Sequence, residues 1–445
     1  MTAPTTTPSD EGVLYRLLRL VLPVTPAEVG TLGWSWLYLF SVFFAYSVIR
    51  PVRDEAGVAG GVENLPWLFT GTLVGMLIVN PPFAALVAKL PRSRFIALTY
   101  RFFALNLLAF LVLFKTTTGD ANIWVGRVFF IWTSVFNLFV VSVFWAFMVD
   151  VFTSDQARRL FGFVAGAATV GSILGSGLTA SAVESYGVPA LLLVSTLLLE
   201  VAVVCSRRLA AKSAAMHKAA KVESEQLIGG GILAGLTNAV RSPYLLNICL
   251  YMLLYSLLST FLYFQQADIV DKTFANRAAR TAFFARVDLL TNVLTIGAQL
   301  FVTGRVMKAL GVALTLSIVP LVTVLGFALL GSWPAVGIAV GFIVLRRAGN
   351  FAFARPTREV LFTAVSREDK YKTKNFIDTV VYRLGDQVGA WSRGWLGAIG
   401  LGASGIAWVA VPISMVWLVN AWWLGRRQQA MAAGERPAAA PAPTL

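Results

Sequence analysis

Long apolar segments alternate with shorter polar gaps along almost the whole chain. A helix needs about 20 mostly apolar residues to cross a bilayer, and twelve segments approach or exceed that length. The pattern therefore predicts twelve transmembrane helices, which are named spans 1 to 12. The predicted spans are 32–49, 67–89, 95–114, 124–149, 160–183, 188–206, 245–266, 282–303, 312–330, 335–353, 376–399 and 404–424.

The amino-acid composition indicates that the chain is embedded in a lipid bilayer. Its 445 residues are 57% hydrophobic and 13% charged, whereas a soluble domain carries about 25% charged residues. So much apolar surface cannot be buried in one water-facing core, and a helix in lipid satisfies its own backbone hydrogen bonds. The expected fold class is an all-α polytopic membrane protein.

The basic residues predict how the helices are oriented. The net charge is +15, and Lys and Arg concentrate before span 1 and after the even-numbered spans. Loops on the cytoplasmic side carry an excess of these residues. We therefore expect a multi-pass protein of the bacterial inner (cytoplasmic) membrane with both termini cytoplasmic. This orientation explains the positive charge without a nucleic-acid partner.

The longest gap divides the spans into two sets of six. Six helices, a basic cytoplasmic linker and six more helices are typical of the major facilitator fold. A weak internal repeat around spans 4 and 5 and spans 10 and 11 agrees with two halves. The predicted divisions are a cytoplasmic N-terminal segment (1–31), a six-helix bundle (32–206), a linker (207–244), a second six-helix bundle (245–424) and a disordered cytoplasmic tail (425–445).

The sequence offers little material for enzymatic chemistry. It has two cysteines, Cys205 and Cys249, both in apolar segments, and one histidine, His217, in the basic linker. No H-E-x-x-H or G-x-S-x-G motif is present. We therefore expect no catalytic residue, no metal and no cofactor.

Span 8 carries a polar stripe. Asp288, Asn292, Thr295 and Gln299 recur at helical spacing and share one face. Charge inside a bilayer costs about 2.5–3.5 kcal/mol on insertion scales, so Asp288 requires a partner or a water-filled cavity. The stripe is either the wall of a cavity or a hydrogen-bonded seam between helices.

Span 11 carries a second stripe, formed by Asp378, Tyr382, Asp386 and Arg393, with Arg383 beside it. These residues could bind substrate or a coupling proton. The alternative is pairing within the helix, because Arg383 and Asp386 lie three residues apart.

The end of span 1 is basic on the side where Lys and Arg are disfavoured. Tyr46, Arg50 and Arg53 share a face there, followed by Asp54 and Glu55. A guanidinium group pairs bidentately with phosphate or carboxylate, which points to an anionic substrate. The alternative is local pairing of these arginines with Asp54 and Glu55.

Other polar residues complete the candidate site. Arg346, Arg347, Arg355 and Arg358 surround the end of span 10, where phosphate recognition and cytoplasmic anchoring are both open. The predicted substrate-binding residues are Tyr46, Arg50, Arg53, Asn137, Tyr255, Asp288, Asn292, Arg347, Arg358, Tyr382 and Arg383. The coupling or gating candidates are Asp54, Asp288, Asp378 and Asp386. The role of Glu200 in span 6 stays open.

Several short elements, in order along most of the chain, resemble the ATP/ADP antiporters of plastids and intracellular bacteria, a branch of the major facilitator superfamily. The matching elements are residues 46–50 with Arg53 and Asp54, 144–147, 155–159, Asp288, 355–359, and 372–374 with Asp378. This resemblance implies a divergent antiporter that exchanges nucleotides or a related anion by alternating access, with Arg50 and Arg53 contacting the substrate's charge.

Two other functions stay open on the residues alone. One is a non-transporting receptor or scaffold with a transporter fold, and the other is a proton-coupled symporter of an unrelated small metabolite. For the secondary transporter, the expected partners are a small anionic solute, nucleotide-like or otherwise phosphorylated or carboxylated, and membrane lipid. The expected oligomeric state is a monomer.

Overall fold

Helices account for the regular structure throughout the part of the chain that is described. The computed structural model describes residues 15, 23–89, 92–217, 242–365, 373–374 and 376–434, and these ranges contain no β-strand. The predicted all-α class is therefore confirmed. Most of the predicted N-terminal segment, the linker from residue 218 to 241 and the tail from residue 435 lie outside the described residues.

Helical structure covers almost all of each predicted span, because each apolar segment forms its own backbone hydrogen bonds. Some helices run past the predicted ends: the last one continues to Gly434, so residues 425–434 of the predicted disordered tail are helical. In the first part of the chain they are α1 (Pro26–Ala59), a 3₁₀ turn (Val62–Asn64), α2 (Leu65–Lys89), α3 (Arg92–Thr116), α4 (Gly119–Val151) and α5 (Ser154–His217). In the second part they are α6 (Pro243–Thr273), α7 (Arg277–Phe301), α8 (Thr303–Ser332), α9 (Val336–Gly349), α10 (Arg355–Leu361), α11 (Tyr382–Ala398) and α12 (Ala403–Gly434).

Two glycines break long helices. Gly187 has φ 72° inside α5, and Gly311 has φ 71° inside α8. Only glycine adopts a positive φ of this size without a steric penalty. Each glycine therefore allows the helix to bend at a position where a residue with a side chain would be strained. The break at Gly187 divides α5 into two arms that correspond to predicted spans 5 and 6.

Two short π-helices interrupt the regular helices of the second part. One, Asn350–Ala354, joins α9 to α10, and the other, Ile377–Val381, leads directly into α11. A π-helix has a wider turn than an α-helix and is frequently found near functional residues.

The multi-pass prediction is confirmed. Nine helical stretches of the described residues are long and apolar enough to cross a membrane. One of them, Arg159–Lys212, covers both arms of α5, while α7 and the segment of α11 fall outside the nine. These two helices carry the polar stripes of spans 8 and 11. The number twelve therefore remains a prediction.

The helices group into two compact units. Unit 1 comprises residues 1–56, 74–224 and 277–286, and unit 2 comprises residues 57–73, 225–276 and 287–445. The division falls inside α2 and α7 as well as inside the predicted linker. The predicted domain limits at residues 206 and 245 remain a prediction.

Close helix packing in unit 1 depends on glycine. A Cβ at Gly171 would lie 2.5 Å from the carbonyl oxygen of Phe40, and a Cβ at Gly175 would lie 2.7 Å from that of Phe44. Small residues allow helix backbones to approach this closely. Gly171 and Gly175 therefore fit α5 against α1.

Unit 2 uses the same device. A Cβ at Gly385 would lie 2.8 Å from the carbonyl oxygen of Leu253, and one at Gly389 would lie 2.9 Å from that of Leu257. These contacts place α11 directly against α6, so side chains that neighbour the glycines are held between the two helices.

Candidate functional site

The arginines at the end of α1 lie beside carboxylates. Helix α1 passes through Pro51 and continues to Ala59, so residues 50–55 are all helical. Arg53 Nη1 is 2.7 Å from Asp54 Oδ1, and its guanidinium lies 3.8 Å from the centre of the Phe130 ring. Local pairing with Asp54, one of the two interpretations of this segment, is therefore present for Arg53. Arg50 and Tyr46 are half-buried.

Glu55 forms an ion pair that the sequence analysis did not predict. Its side chain is buried, and the Nε and Nη2 atoms of Arg277 donate to its two carboxylate oxygens at 2.8 and 3.0 Å. Arg277 Nη1 also donates to Asn122 Oδ1 at 2.5 Å. All three residues belong to unit 1 and join the end of α1, the start of α4 and the start of α7.

In unit 2, Asp288 is paired across helices. Arg347 Nη1 of α9 lies 2.7 Å from Asp288 Oδ1 of α7, and both side chains are largely buried. Farther along α7, Gln299 Nε2 donates to the carbonyl oxygen of Phe351 at 3.2 Å. These contacts describe a polar seam for Asp288 and Gln299, while Asn292 between them is half-buried.

Asp386 is also satisfied by its neighbours. Ser256 of α6 donates to Asp386 Oδ1 at 2.5 Å, and Arg383 Nη1 lies 3.3 Å from Asp386 Oδ2. The pairing within the helix that the i, i+3 spacing suggested is therefore present. Asp378 is exposed, and Arg358 Nη2 lies 3.7 Å from its Oδ1 atom.

Arg346 differs from all of these arginines. It is 3% exposed, and it donates to Thr323 Oγ1 at 3.1 Å, Ser259 Oγ at 2.9 Å and the carbonyl oxygen of Tyr255 at 3.1 Å. Within the described ranges no Asp or Glu forms an ion pair with it. Its positive charge is buried among neutral oxygens.

Aromatic rings surround Arg346. Its guanidinium lies 5.3 Å from the centre of the Tyr255 ring and 5.7 Å from that of Trp417. The rings of Tyr255 and Tyr382 are 6.3 Å apart, and both residues are half-buried. We call Tyr255, Arg346, Tyr382 and Arg383 the arginine–tyrosine cluster.

This cluster has unused hydrogen-bonding capacity nearby. Tyr251 Oη and Trp417 Nε1 are buried and have no hydrogen-bond partner among the described residues. The rings of Trp417 and Tyr251 are tilted relative to each other, with their centres 5.3 Å apart. Buried polar atoms are usually satisfied, so such atoms mark a place where water or a solute can supply the missing bonds.

The predicted binding residues fall into two sets, one in each unit. The set in unit 1 comprises Tyr46, Arg50, Arg53 and Asn137, of which Asn137 lies half-buried on α4. The set in unit 2 comprises Tyr255, Asp288, Asn292, Arg347, Arg358, Tyr382 and Arg383.

A cavity of about 700 Å³ lies elsewhere in unit 2. Trp67, Trp391 and Trp395 line it, together with Asp268 and Arg393. Arg393 Nη2 is 2.5 Å from Asp268 Oδ2, so this arginine of the predicted span 11 stripe is paired with α6. None of the predicted substrate-binding residues lines the cavity.

The structure gives Glu200 a partner. Arg101 Nε and Nη2 donate to its two carboxylate oxygens at 3.3 and 3.4 Å, and the two side chains are 48% and 42% exposed. Phe102 and Leu197 beside it are exposed apolar residues, as expected of a surface that faces lipid. The pair joins α3 to α5 and includes none of the predicted binding residues.

No metal centre can be built from the described residues: they contain no group of three or more His, Cys, Asp or Glu side chains able to hold a metal ion. Cys205 and Cys249 are free and buried.

Comparison with known sequences supports the resemblance that the motifs predicted. No protein-family model matches the chain. It is 23% identical to ADP,ATP carrier protein 1 of Chlamydia trachomatis serovar D, covering 94% of this chain and 93% of the relative. It is 22% identical to ADP,ATP carrier protein 2 of Chlamydia pneumoniae, covering 96% and 94% respectively.

Comparison with solved structures concerns the fold. A bacterial homologue of the iron transporter ferroportin, in an inward-facing state, matches with a TM-score of 0.62 and 13% identity, covering 90% of this chain and 100% of that chain. A POT family transporter matches with a TM-score of 0.60 and 13% identity, covering 92% and 99%. The chain therefore has the major facilitator fold and is a membrane transporter, not an enzyme, related at a distance to ADP,ATP carrier proteins.

Proposed function

We propose that this protein is a secondary transporter that exchanges an anionic solute across the inner membrane by alternating access. The solute is nucleotide-like or another phosphorylated or carboxylated metabolite. The observation that carries this proposal is Arg346, a buried guanidinium without a carboxylate partner among the described residues. A negatively charged solute is the counter-charge that this arrangement lacks.

Burial makes this charge effective. An isolated charge in a low-dielectric interior is costly, and neutral hydrogen-bond acceptors compensate it only in part. The same low dielectric lets its field act over a longer distance than in water. Arg383, the other arginine of the cluster, lies against Asp386, and Arg347, next to Arg346 in the sequence, lies against Asp288. The surplus positive charge of the cluster therefore resides on Arg346.

The half-buried tyrosines suggest which part of a solute meets the cluster. Tyr255 and Tyr382 lie between Arg346 and Arg383, with each arginine near one of the rings. Tyrosine rings stack on planar groups, and guanidinium groups bind phosphate or carboxylate bidentately. A planar ring that carries phosphates would use both kinds of group, which supports a nucleotide-like solute. The likeness to proteins named ADP,ATP carrier protein supports it as well.

Counterflow in proteoliposomes tests this function. Purified protein is reconstituted with unlabelled ADP inside, and uptake of labelled ATP, ADP, inorganic phosphate and small carboxylates is measured. We expect uptake of at least one anion that depends on the internal anion. The variant Arg346→Gln should abolish it, while the matched control Arg101→Gln, which alters the lipid-facing pair, should retain it.

The other outcomes are decisive too. Protein that binds an anion but never moves it would overturn transport of that anion. Uptake that needs a pH gradient and no internal anion would instead identify a proton-coupled symporter, in which Asp288, Asp378 or Asp386 would be candidates for the proton site. We favour exchange because Asp288 and Asp386 each lie against an arginine in the structure and because the chain is similar to proteins named ADP,ATP carrier protein.

The membrane placement belongs to the same proposal. We place both termini in the cytoplasm and the protein in the inner membrane as a monomer surrounded by lipid, because the basic gaps follow the even-numbered spans. A reporter fused after residue 427 that is active only when cytoplasmic would test the orientation. A reporter that works only outside would reverse it.

A further inference from the structure

The cavity in unit 2 lies where the ends of several helices meet. The described part of its lining comes from the 3₁₀ turn Val62–Asn64, the start of α2, the end of α6 and the end of α11. Its volume of about 700 Å³ is in the range of small-molecule sites, about 300–1,000 Å³. These segments follow odd-numbered spans, so the proposed orientation places the cavity on the side opposite the cytoplasm.

Three tryptophans give the cavity an aromatic wall. Trp67 of α2 and Trp391 of α11 meet edge to face, with ring centres 4.8 Å apart and ring planes 84° apart. Trp391 Nε1 donates to Thr70 Oγ1 at 3.1 Å, which holds this corner in place. Trp395 follows one turn later on α11. The three tryptophans are between 42% and 65% exposed, so their rings are accessible to a ligand.

Charges of both signs line the same cavity. Among the described residues its carboxylates are Glu63, Asp268 and Asp271, and its basic groups are Lys272 and Arg393. The carboxylates outnumber the basic groups, so the lining favours a positively charged group over a simple anion. A tryptophan ring also attracts a cation to its face, more strongly than the other aromatic side chains do.

Arg393 provides a place for a phosphate beside this positively charged group. Its Nη2 atom donates to Asp268 Oδ2, and its Nε atom has no hydrogen-bond partner among the described residues. A guanidinium group carries several N–H donors, so the pair with Asp268 leaves it able to bind an anion as well. Lys272 adds a second positive charge to the lining. A ligand with an ammonium group next to a phosphate matches both halves of the cavity.

The position of the cavity favours a membrane lipid as this ligand. Two of the helical stretches that are long and apolar enough to cross a membrane, Val62–Val79 and Pro243–Thr273, have one end at the cavity. Lipid head groups meet a protein at the ends of its membrane-spanning helices, and tryptophan is enriched at that level. The charged lining then faces the head group, while the acyl chains extend along the apolar helices.

We propose that this cavity binds the head group of a phospholipid in which an ammonium group follows the phosphate, as in phosphatidylethanolamine. The ammonium group lies against the tryptophans and near Glu63 and Asp271, and the phosphate lies near Arg393 and Lys272. The bound head group joins the start of α2 to the ends of α6 and α11 and stabilises this end of unit 2. It does not compete with the transported solute at the predicted substrate-binding residues, because none of them lines the cavity.

Lipid titration followed by native mass spectrometry tests the site. Purified protein in detergent receives phosphatidylethanolamine or phosphatidylglycerol with the same acyl chains, and the apparent Kd of the first bound lipid is measured. Phosphatidylglycerol has the phosphate without the ammonium group. We expect phosphatidylethanolamine to bind about tenfold more tightly, through the tryptophans and the carboxylates. Equal affinities for the two lipids would overturn the proposed site.

Variants of the lining locate the preference. Trp395→Leu should weaken binding of phosphatidylethanolamine about fivefold and leave phosphatidylglycerol unchanged, because leucine keeps the apolar contact but loses the cation–π contact. The double variant Glu63→Gln with Asp271→Asn should remove most of the preference for the ammonium group. Both carboxylates are exposed, so this variant leaves no buried charge unpaired.

A tryptophan outside the cavity provides the matched control. Trp333 is 65% exposed, as Trp395 is, but it does not line the cavity. Trp333→Leu should keep the full preference for phosphatidylethanolamine. Retention of the preference in both cavity variants, or an equal loss in the control, would overturn the assignment to this cavity.

Free O-phosphoethanolamine separates a lipid from a soluble ligand. It carries the same two charges without acyl chains, so we expect it to displace phosphatidylethanolamine only at about 100-fold higher concentration. Displacement at equal concentration would overturn the lipid assignment and identify a site for a soluble amine.

Amide hydrogen exchange in nanodiscs gives a second readout. Exchange of residues 62–73 should be slower in phosphatidylethanolamine than in phosphatidylglycerol for the wild type, and the two rates should be equal for Trp395→Leu. Equal rates in the wild type would overturn the stabilising role. None of these measurements requires transport, so an absence of anion flux would count against the proposed function and not against the lipid site.

Discussion

The two arginine-rich regions of this transporter differ in how the positive charge of their arginines is balanced. At the end of α1, Arg53 and Arg277 each lie against a neighbouring carboxylate. In the middle of unit 2, Arg346 is buried among hydroxyl and carbonyl oxygens with aromatic rings beside it. In the first region each of these cations is therefore offset by an adjacent carboxylate. In the second region the charge of Arg346 is not offset by a carboxylate of the described residues, so this region favours the binding of an anion.

This contrast separates two uses of arginine in a membrane. A paired arginine is nearly neutral as seen from a distance, so its main contribution is to stabilise the groups that it joins. An arginine without a carboxylate partner costs stability and is retained where it attracts something. The difference predicts that changes in the paired region affect folding and coupling, whereas changes at Arg346 affect affinity.

The largest effect on stability should come from Arg347→Ala. It removes the cation that faces Asp288, and breaking a buried pair in this way costs about 3–5 kcal/mol. Thermal unfolding in detergent should show a clear decrease in Tm. The double variant Arg347→Ala with Asp288→Asn removes both charges and should recover much of the loss. Equal Tm values for the single variant and the wild type would contradict the pairing.

Arg346→Met should give the largest loss of transport with a small change in stability. The long apolar side chain fills the space, and no carboxylate among the described residues is left unpaired. Loss of a charged contact with the solute should lower the exchange rate about 100-fold. Counterflow and thermal unfolding are measured on the same preparation. Retained exchange would show that the buried charge is purely structural.

Arg53→Lys should have an intermediate effect. Lysine keeps a positive charge near Asp54 but loses the planar group that stacks on Phe130. We expect exchange to fall about tenfold, mainly through a lower maximal rate, because the cation–π contact with Phe130 is lost and the pair with Asp54 is weakened. Concentration-dependent uptake measures the split between KM and maximal rate. A higher KM at constant maximal rate would instead place Arg53 in contact with the solute.

The smallest effect should come from the lipid-facing pair. Replacement of both partners, Arg101→Gln with Glu200→Gln, leaves no isolated charge on that surface. Exposed pairs contribute about 0–1 kcal/mol, so transport should stay within about twofold of the wild type. A strong loss of transport would show that this surface has a function beyond joining α3 and α5.

Hydropathy predicted the helices because a bilayer forces each apolar stretch to satisfy its own backbone. Local spacing also predicted the pair between Arg383 and Asp386, which the structure contains. Pairs between distant segments were not predictable in this way. Glu55 and Arg277 are 222 positions apart in the sequence, and nothing local marks them as partners.

Arg346 illustrates a different limit. Arg346 was predicted to lie inside span 10 near its end, where the residues alone left phosphate recognition and cytoplasmic anchoring both open. The helical path continues past the predicted end at residue 353 through the π-helix Asn350–Ala354 and α10 to Leu361, so Arg346 lies well within a continuous helical segment. Its burial follows from packing against α6, α8 and α12, which hydropathy alone does not describe.

The wide turn at Asn350–Ala354 also fixes which way the following arginines point. Each residue of a regular helix advances the side-chain direction by about 100°, so a turn with one additional residue shifts the phase of everything after it. Deletion of Ala352 would convert this turn to a regular helical turn. Arg355 and Arg358 would then lie on a different face of the helix, although every retained side chain would be chemically unchanged. Homologous chains that differ by one residue at this point would therefore present different basic faces to the same solute.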